Sequence, residues 1–305
     1  MSRRNFGYGR RLDYAGRQAL RQHFGGGHHG SQATQGERWN RISRWLRDHD
    51  IRDMRYVEPQ HIQRFADERL DDGLDPNTVR GEISAANVVM SHATRGVWKP
   101  LSPTAIVGPR DGVRRVAPMS VDRERDRAAR AGLGHTPRAA AVWALARETG
   151  MRSEEATKAD LDRLTREAGR YNAINIQEGT KGNRRAPRWV PLTDRAREAL
   201  EIARATRPEG SPNLLRADET YKSWRNGELR TGRESLHPAG IRGYHDGRTA
   251  YACDRYRTLT GHDAPALAGT RTADRAADRE ARRVIAYELG HNRMEVAAAY
   301  VGSAK

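Results

Sequence analysis

The chain has 305 residues, long enough for about two ordinary domains, and 55 Lys and Arg against 39 Asp and Glu give a formal net charge of +16. Such a surplus favours a polyanionic partner, because displacing counterions from phosphates drives association. No apolar run approaches the roughly 18 residues that span a bilayer, the charged start MSRRNFGYGRR has no apolar stretch behind it, and Cys253 is the only cysteine. A membrane protein, a secreted protein with a signal peptide, an internal disulfide and a cysteine-built zinc site are therefore not expected. The single cysteine fits a cytoplasmic protein.

Residues 1–30 carry Arg3, Arg4, Arg10, Arg11, Arg17 and Arg21 against one acid, Asp13, and end in a Gly/His stretch. They read as a flexible basic arm or a solvated tail, with room for a short helix around Tyr14–Phe24. Residues 31–95 read as a small helical domain. Trp39, Ile42, Trp45 and Leu46 recur at helical spacing, Ile62, Phe65, Ala66 and Leu70 follow Pro59, and Asp75-Pro76 starts a third helix with Val79, Ile83, Ala86 and Met90 inward. Arg80 is left free to face out. Breakers from Gly96 to Pro118 mark residues 96–119 as a linker. On the helices and the start of the linker, Arg41, Arg44, Arg80, Arg95 and Lys99 are candidate phosphate contacts.

Residues 120–305 read as mixed. A helix begins at Thr136-Pro137 and ends at Gly150. Alternation in Tyr171-NAINIQ, the turn residues Lys181-Gly182-Asn183 and the return through Trp189 to Leu192 predict an antiparallel hairpin. Helices are expected from there to the end.

Three short segments carry candidate chemistry. In GMRSEEA, Gly150 closes one helix and Ser153 can cap the next, so Arg152 sits at a helix N-terminus. An anion there would meet both the helix dipole and a guanidinium fork; a surface Arg in a turn would look the same. His245 and Arg248 share one helical face and can serve a phosphate as proton carrier and charge clamp. In ELGHNRMEVAAAYVG, Gly290 ends a helix, and Tyr300 projects from a later one with a face of small residues. Alone, Tyr300 would be a core tyrosine packed over alanines.

Taken in order, Arg in a helix-turn-helix, Lys in a hairpin, His-x-x-Arg, Leu-Gly-His and then Tyr resemble the tyrosine recombinase, or phage integrase, family over nearly the whole chain. The resemblance implies a mainly α fold with a small antiparallel β component in the catalytic domain. It also implies a two-domain DNA clamp, with residues 31–95 as the core-DNA-binding domain and 120–305 as the catalytic domain. It assigns Arg152, Lys181, His245, Arg248, His291 and Tyr300 to the active site, with Glu155 in a supporting acidic place. The run Thr180 to Arg185 before Val190-Pro-Leu supports Lys181 over Arg184 or Arg185.

A phenol is a weak nucleophile at neutral pH and needs help losing its proton. On the resemblance, Arg152 and Arg248 clamp the scissile phosphate and His291 adds a hydrogen bond. His245 manages the tyrosine proton, and Lys181 protonates the departing 5′ oxygen. Tyr300 becomes linked to the 3′ phosphate. Because the ester is preserved, no metal, cofactor or ATP is expected. The implied partner is double-stranded DNA, with four protomers on DNA, an accessory DNA-bending protein and no membrane. Two features depart from the family. The stretch from Arg248 to His291 is long, so residues 258–283 read as an inserted polar loop, and the chain ends soon after Tyr300, which leads to a monomer as the expected state in free solution. A type IB topoisomerase-like enzyme, a non-catalytic DNA-binding relative and, more remotely, an HNH-type nuclease are the competing readings.

Overall fold

The computed structural model describes residues 3–24, 29–109, 113, 123–180, 186–291 and 293–303. The chain falls into two compact units, Met1–Asp111 and Gly112–Lys305. Both are built mainly from helices, and the second adds one two-stranded sheet. Among the described residues no helix is long and apolar enough to cross a membrane.

The first unit contains α1 (Leu12–Phe24), α2 (His29–Asp48), α3 (Pro59–Asp71), α4 (Pro76–Ala93) and the short α5 (Pro103–Val107). Local chemistry starts α4: the Asp75 carboxylate accepts the Asn77 N–H at 2.8 Å, and Pro76 occupies the first turn, where a missing N–H costs nothing. Trp39, Ile42 and Leu46 of α2 are buried with Ile62 and Phe65 of α3 and Val89 and Met90 of α4. One expectation needs correction here. Leu12–Phe24 is no free arm but a helix of this core, with Leu12, Ala15, Ala19 and Leu20 buried and the Trp39 indole N–H donating to the Leu12 carbonyl at 2.8 Å. Four apolar residues at helical spacing make a stripe that a count of arginines hides. The early linker is likewise tied down. Asn87 Oδ1 accepts from the Trp98 indole and from Leu101 N, and its amide donates to the Leu101 carbonyl.

The second unit begins with α6 (Arg123–Gly132) and α7 (Pro137–Thr149). α7 is buried on nearly every side, as its run of Ala, Val, Trp and Leu requires. α8 (Ser153–Lys158) and α9 (Leu161–Tyr171) follow, then β1 (Ala173–Asn175) and β2 (Trp189–Pro191). The strands pair antiparallel with Ile174 opposite Val190. α10 (Asp194–Thr206), α11 (Tyr221–Asn226), α12 (Glu228–Ser235) and α13 (Tyr244–Thr260) continue the helical layer, and α10, α12 and α13 all pack on α7. After Thr260 the expected polar loop is replaced by α14 (Pro265–Ala268) and α15 (Arg275–Glu288). Ala264, Ala266, Ala273 and Ala281 are buried, and Asp274 caps α15 by accepting from Ala276 N and Ala277 N. Small apolar residues spaced among many charges give this segment a buried face without raising its average hydropathy. A single-turn helix, α16 (Ala298–Val301), ends the described elements.

Candidate active site

Gly150 ends α7 in the left-handed conformation, at φ 69°, where a Cβ would lie 2.6 Å from the Tyr251 ring. Only glycine makes this turn without strain and clash. The turn delivers Arg152 to the N-cap of α8. Ser153 is the first helical residue rather than the expected cap. The capping acceptor is Glu155, which takes the Arg152 backbone N–H at 2.7 Å and its Nη1 at 2.6 Å.

Glu155 is wholly buried and gathers three guanidinium groups. Arg188 donates to it through Nη1 at 2.8 Å and Nη2 at 3.1 Å, and Arg248 Nη1 lies 3.6 Å away. Burial alone would raise the pKa of this carboxyl. Arg188, Arg248 and Arg152 outweigh it and hold the group at about 2.

Arg248 projects from α13 and is also wholly buried. Its Nη1 donates to the Gly150 carbonyl and its Nη2 to the Leu289 carbonyl, so the ends of α7 and α15 are bridged by one side chain. Its Nε lies 3.3 Å from the Tyr300 hydroxyl. Burial lowers its pKa to about 10, which leaves it charged at neutral pH. His291 follows the Gly290 turn after α15, with its N–H on the Ala286 carbonyl at 2.8 Å. Its Nε2 stands 3.1 Å from the Tyr300 oxygen and 3.4 Å from Arg248 Nη2. Burial, then Arg248, Arg152 and Arg188, depress its pKa to about 4, so at neutral pH the ring is uncharged. Arg248 can only donate. Nε2 of the uncharged ring therefore serves as the acceptor facing both groups, with the ring proton on Nδ1.

Tyr300 is buried except for about 5% of its surface. His245, one turn before Arg248 on α13, is exposed, with its ring centroid 5.4 Å from that of Tyr300. Arg152, Glu155, His245, Arg248, His291 and Tyr300 thus converge, from α8, α13, the turn after α15, and α16. Lys181, with Arg184 and Arg185, lies outside the described residues.

Arg188 is the site residue that sequence reasoning missed. Besides clamping Glu155, its Nε donates to the Glu288 carbonyl at 2.8 Å. The strand period held the signal: Arg188 and Val190 are buried on one side, with Trp189 between them turned outward. Of the candidate phosphate contacts in the first unit, Arg44, Arg95 and Lys99 are exposed. Arg41 is drawn into an ion pair with buried Glu82 at 2.7 Å. Arg80 does not face out freely: Nη2 donates to the Gly108 carbonyl at 2.5 Å and Nη1 to Thr104 Oγ1 at 3.2 Å. A carbonyl and a hydroxyl on the segment crossing α4 supply acceptors that the linker's composition did not reveal.

The profile of the family described as Integrase matches residues 111–254, which include Arg152, Glu155, Arg188, His245 and Arg248 but neither His291 nor Tyr300. Among curated protein sequences none matches the chain significantly. Among solved structures, a lambda integrase dimer bound to a COC′ core site is similar at 12% identity, with 95% of this chain and 94% of that chain covered and a TM-score of 0.64. The integrase of transposon Tn1549 in complex with transposon right end DNA is similar at 14% identity, with 95% of both chains covered and a TM-score of 0.60. At such identities the structures speak for a common fold, and the site rests on the geometry above.

Proposed function

We propose that this chain, a tyrosine recombinase of the integrase family, performs site-specific DNA recombination by cutting and rejoining DNA through a covalent bond to Tyr300. The observation that carries this reading is the convergence on one hydroxyl: the Tyr300 oxygen lies 3.3 Å from Arg248 Nε and 3.1 Å from His291 Nε2. A nucleophile, a cation and a proton acceptor meet at one buried hydroxyl.

The Tyr300 oxygen attacks the scissile phosphorus and its proton leaves. The bond to the 5′ oxygen breaks, and that oxygen departs as a hydroxyl. Arg152 and Arg248 stabilise the charge that builds on the non-bridging oxygens, each such donor contributing roughly 3–4 kcal/mol. Uncharged His291 is the better acceptor for the phenolic proton, because its ring nitrogen is within hydrogen-bond reach of the hydroxyl. That role stood with His245 on the resemblance. His245, exposed and with its ring centroid 5.4 Å from that of Tyr300, is left to serve the phosphate instead. Lys181 is the general acid for the leaving oxygen, a role taken from the family resemblance. The 3′-phosphotyrosine ester conserves the energy of the cleaved bond, so a 5′ hydroxyl can reverse the step without ATP.

DNA is the partner consistent with the net charge of +16 and with the DNA complexes seen for the lambda and Tn1549 integrases. A lambda integrase tetramer bound to a Holliday junction supports assembly of four protomers on DNA, as exchange between two duplexes requires. The test is a nicked substrate that carries the recombination site and loses its 5′ fragment on cleavage. The wild type should accumulate a covalent 3′ adduct. Tyr300→Phe should bind the same DNA with unchanged affinity and form none. An adduct that persists in the Phe variant removes Tyr300 from the reaction.

A further inference from the structure

A tyrosine that must meet a phosphorus in line has to be held to within tenths of an ångström. α16 cannot do this by itself. It is four residues long, preceded by the 3-10 turn Met294–Ala297, and a single turn is unstable without outside contacts. Its downstream end is gripped from α15. Arg282 Nη1 donates to the carbonyl of Gly302 at 2.9 Å. The same guanidinium is fixed by Asp278, one turn back, whose two oxygens each lie 2.9 Å from Arg282 Nε. Asp278 in turn accepts the Tyr256 hydroxyl at 2.8 Å, and Tyr256 belongs to α13, the helix that carries Arg248. Arg282, Asp278 and Tyr256 are all buried.

The chain thus runs from the helix of the phosphate-clamping arginine, through a buried ion pair, to the second residue after the nucleophile. A buried pair of this kind is a weak source of stability, since desolvation cancels much of the attraction. What it supplies is direction: a planar guanidinium held at Nε by a carboxylate aims its Nη1 along a fixed line, here at the Gly302 carbonyl. Gly302 completes the grip. It stands at φ 87°, and a Cβ there would lie 2.6 Å from Ala266 N, so the chain crosses α14 with no room to spare.

We infer that Arg282 is a positioning residue for the nucleophile, and that the segment from Ala264 to Arg282, which the sequence presents as an insertion, is the seat that sets the place of Tyr300 through Gly302. The inference rests on Tyr300 being the nucleophile. Arg282 touches no reacting atom and acts only by placing α16.

Two variants of the full chain test it. Arg282→Lys keeps a cation against Asp278 but cannot fork to the Gly302 carbonyl as well. Gly302→Ala leaves the ion pair intact and pushes the chain off Ala266. In single-turnover cleavage at saturating site DNA, both should form the covalent adduct at least about tenfold more slowly, with affinity for the site changed by less than about twofold. A substrate with a 5′-bridging sulfur, which leaves without protonation, should not restore the rate, because attack and not departure is impaired. Wild-type cleavage rates in both variants would overturn the inference. So would full rescue by the sulfur substrate, or affinity that falls in proportion to rate, as general unfolding would give. If the wild type itself forms no Tyr300-dependent adduct, the proposed function fails and the inference falls with it, an outcome distinct from a wild type that cleaves and variants that cleave equally fast.

Discussion

The two units bury different things. The first closes around Trp39, Ile42, Leu46, Ile62, Phe65 and Met90, and its buried acids Asp53 and Glu82 are paired with arginines that remain partly in water. The second buries Arg138, Arg147, Arg188, Arg248 and Arg282 together with Glu148, Glu155, Glu288, Asp126 and Asp278. Apolar packing is the cheaper route to stability, because buried ions must recover a large desolvation cost. A unit that nevertheless buries many charges uses them for direction. Arg248 spans two helix ends, Glu155 aligns three arginines, and Arg282 holds Gly302, the residue after α16. Preorganised charge of this sort is what stabilises a phosphorane without reorganisation during the reaction.

This contrast can be broken by substitution. The largest effect is expected at the centre of the second unit. Arg248→Met leaves the Gly150 and Leu289 carbonyls without their donor and takes one of three cations from Glu155. Unfolding free energy should fall by about 2–6 kcal/mol, from two buried acceptors left unsatisfied at about 1–3 kcal/mol each. Adduct formation should fall by a factor of about 100–1,000 or more, as for loss of one transition-state donor. Denaturant melts and single-turnover cleavage measure the two losses, and a variant that keeps wild-type cleavage would refute the central role of Arg248. In the first unit, Trp39→Ala removes a fully buried ring whose indole N–H caps the Leu12 carbonyl. It should destabilise by about 3 kcal/mol or more, yet leave the cleavage rate at saturating DNA within about threefold at a temperature where the variant is folded. A large rate loss there would mean that the two kinds of core are not separable.

A subtler pair sharpens the comparison. Arg188→Met should lower stability by about 2 kcal/mol, less than a lone buried pair because Arg152 and Arg248 still face Glu155. Adding Glu155→Leu should lower stability further rather than restore it, because buried Arg248 and Arg152 are then left without an anion, and cleavage should fall further as they lose their common anchor. If stability falls and cleavage does not, Glu155 and Arg188 serve the fold alone.

The smallest effect is in pH. His291 is depressed to about 4, below its value of 6.5 in an unfolded chain, so the unfolded state binds its proton first. Its contribution is complete above pH 6.5 and is lost as pH falls from about 6.5 towards 4. Glu155, held at about 2 against 4.5 unfolded, contributes above pH 4.5, and that contribution is lost as pH falls through about 2. His291→Gln should therefore flatten the stability change between pH 6.5 and 4 and leave the steeper loss below it. An unaltered profile in that window would show that His291 does not hold its neutral form.

Much of this molecule was legible before folding. Helical spacing in Trp39–Leu46, the Asp75-Pro76 start, Gly150 as a terminator and the alternation in the two strands are local signals, and local geometry obeys them. The ordered set Arg152, Lys181, His245, Arg248, His291 and Tyr300 was proposed from its resemblance to the tyrosine recombinase family, five motifs in one order, and the structure brings those of them that it describes to one place. The roles of Arg188 and Arg282 were not legible. An arginine among charged neighbours looks solvated, and whether it is buried depends on a carboxylate or carbonyl brought from elsewhere: Glu155 and Glu288 for the one, Gly302 for the other. The same holds for α1 and for the segment after Thr260, whose buried faces are thin stripes of alanine and leucine within basic or polar runs. By itself the sequence determined the candidate reacting groups and the local turns and periods that start and stop the elements. Only the tertiary structure decided which charges lie in water and which lie inside, because the free energy of burying a charge is set by all its partners, and several of these come from distant parts of the chain.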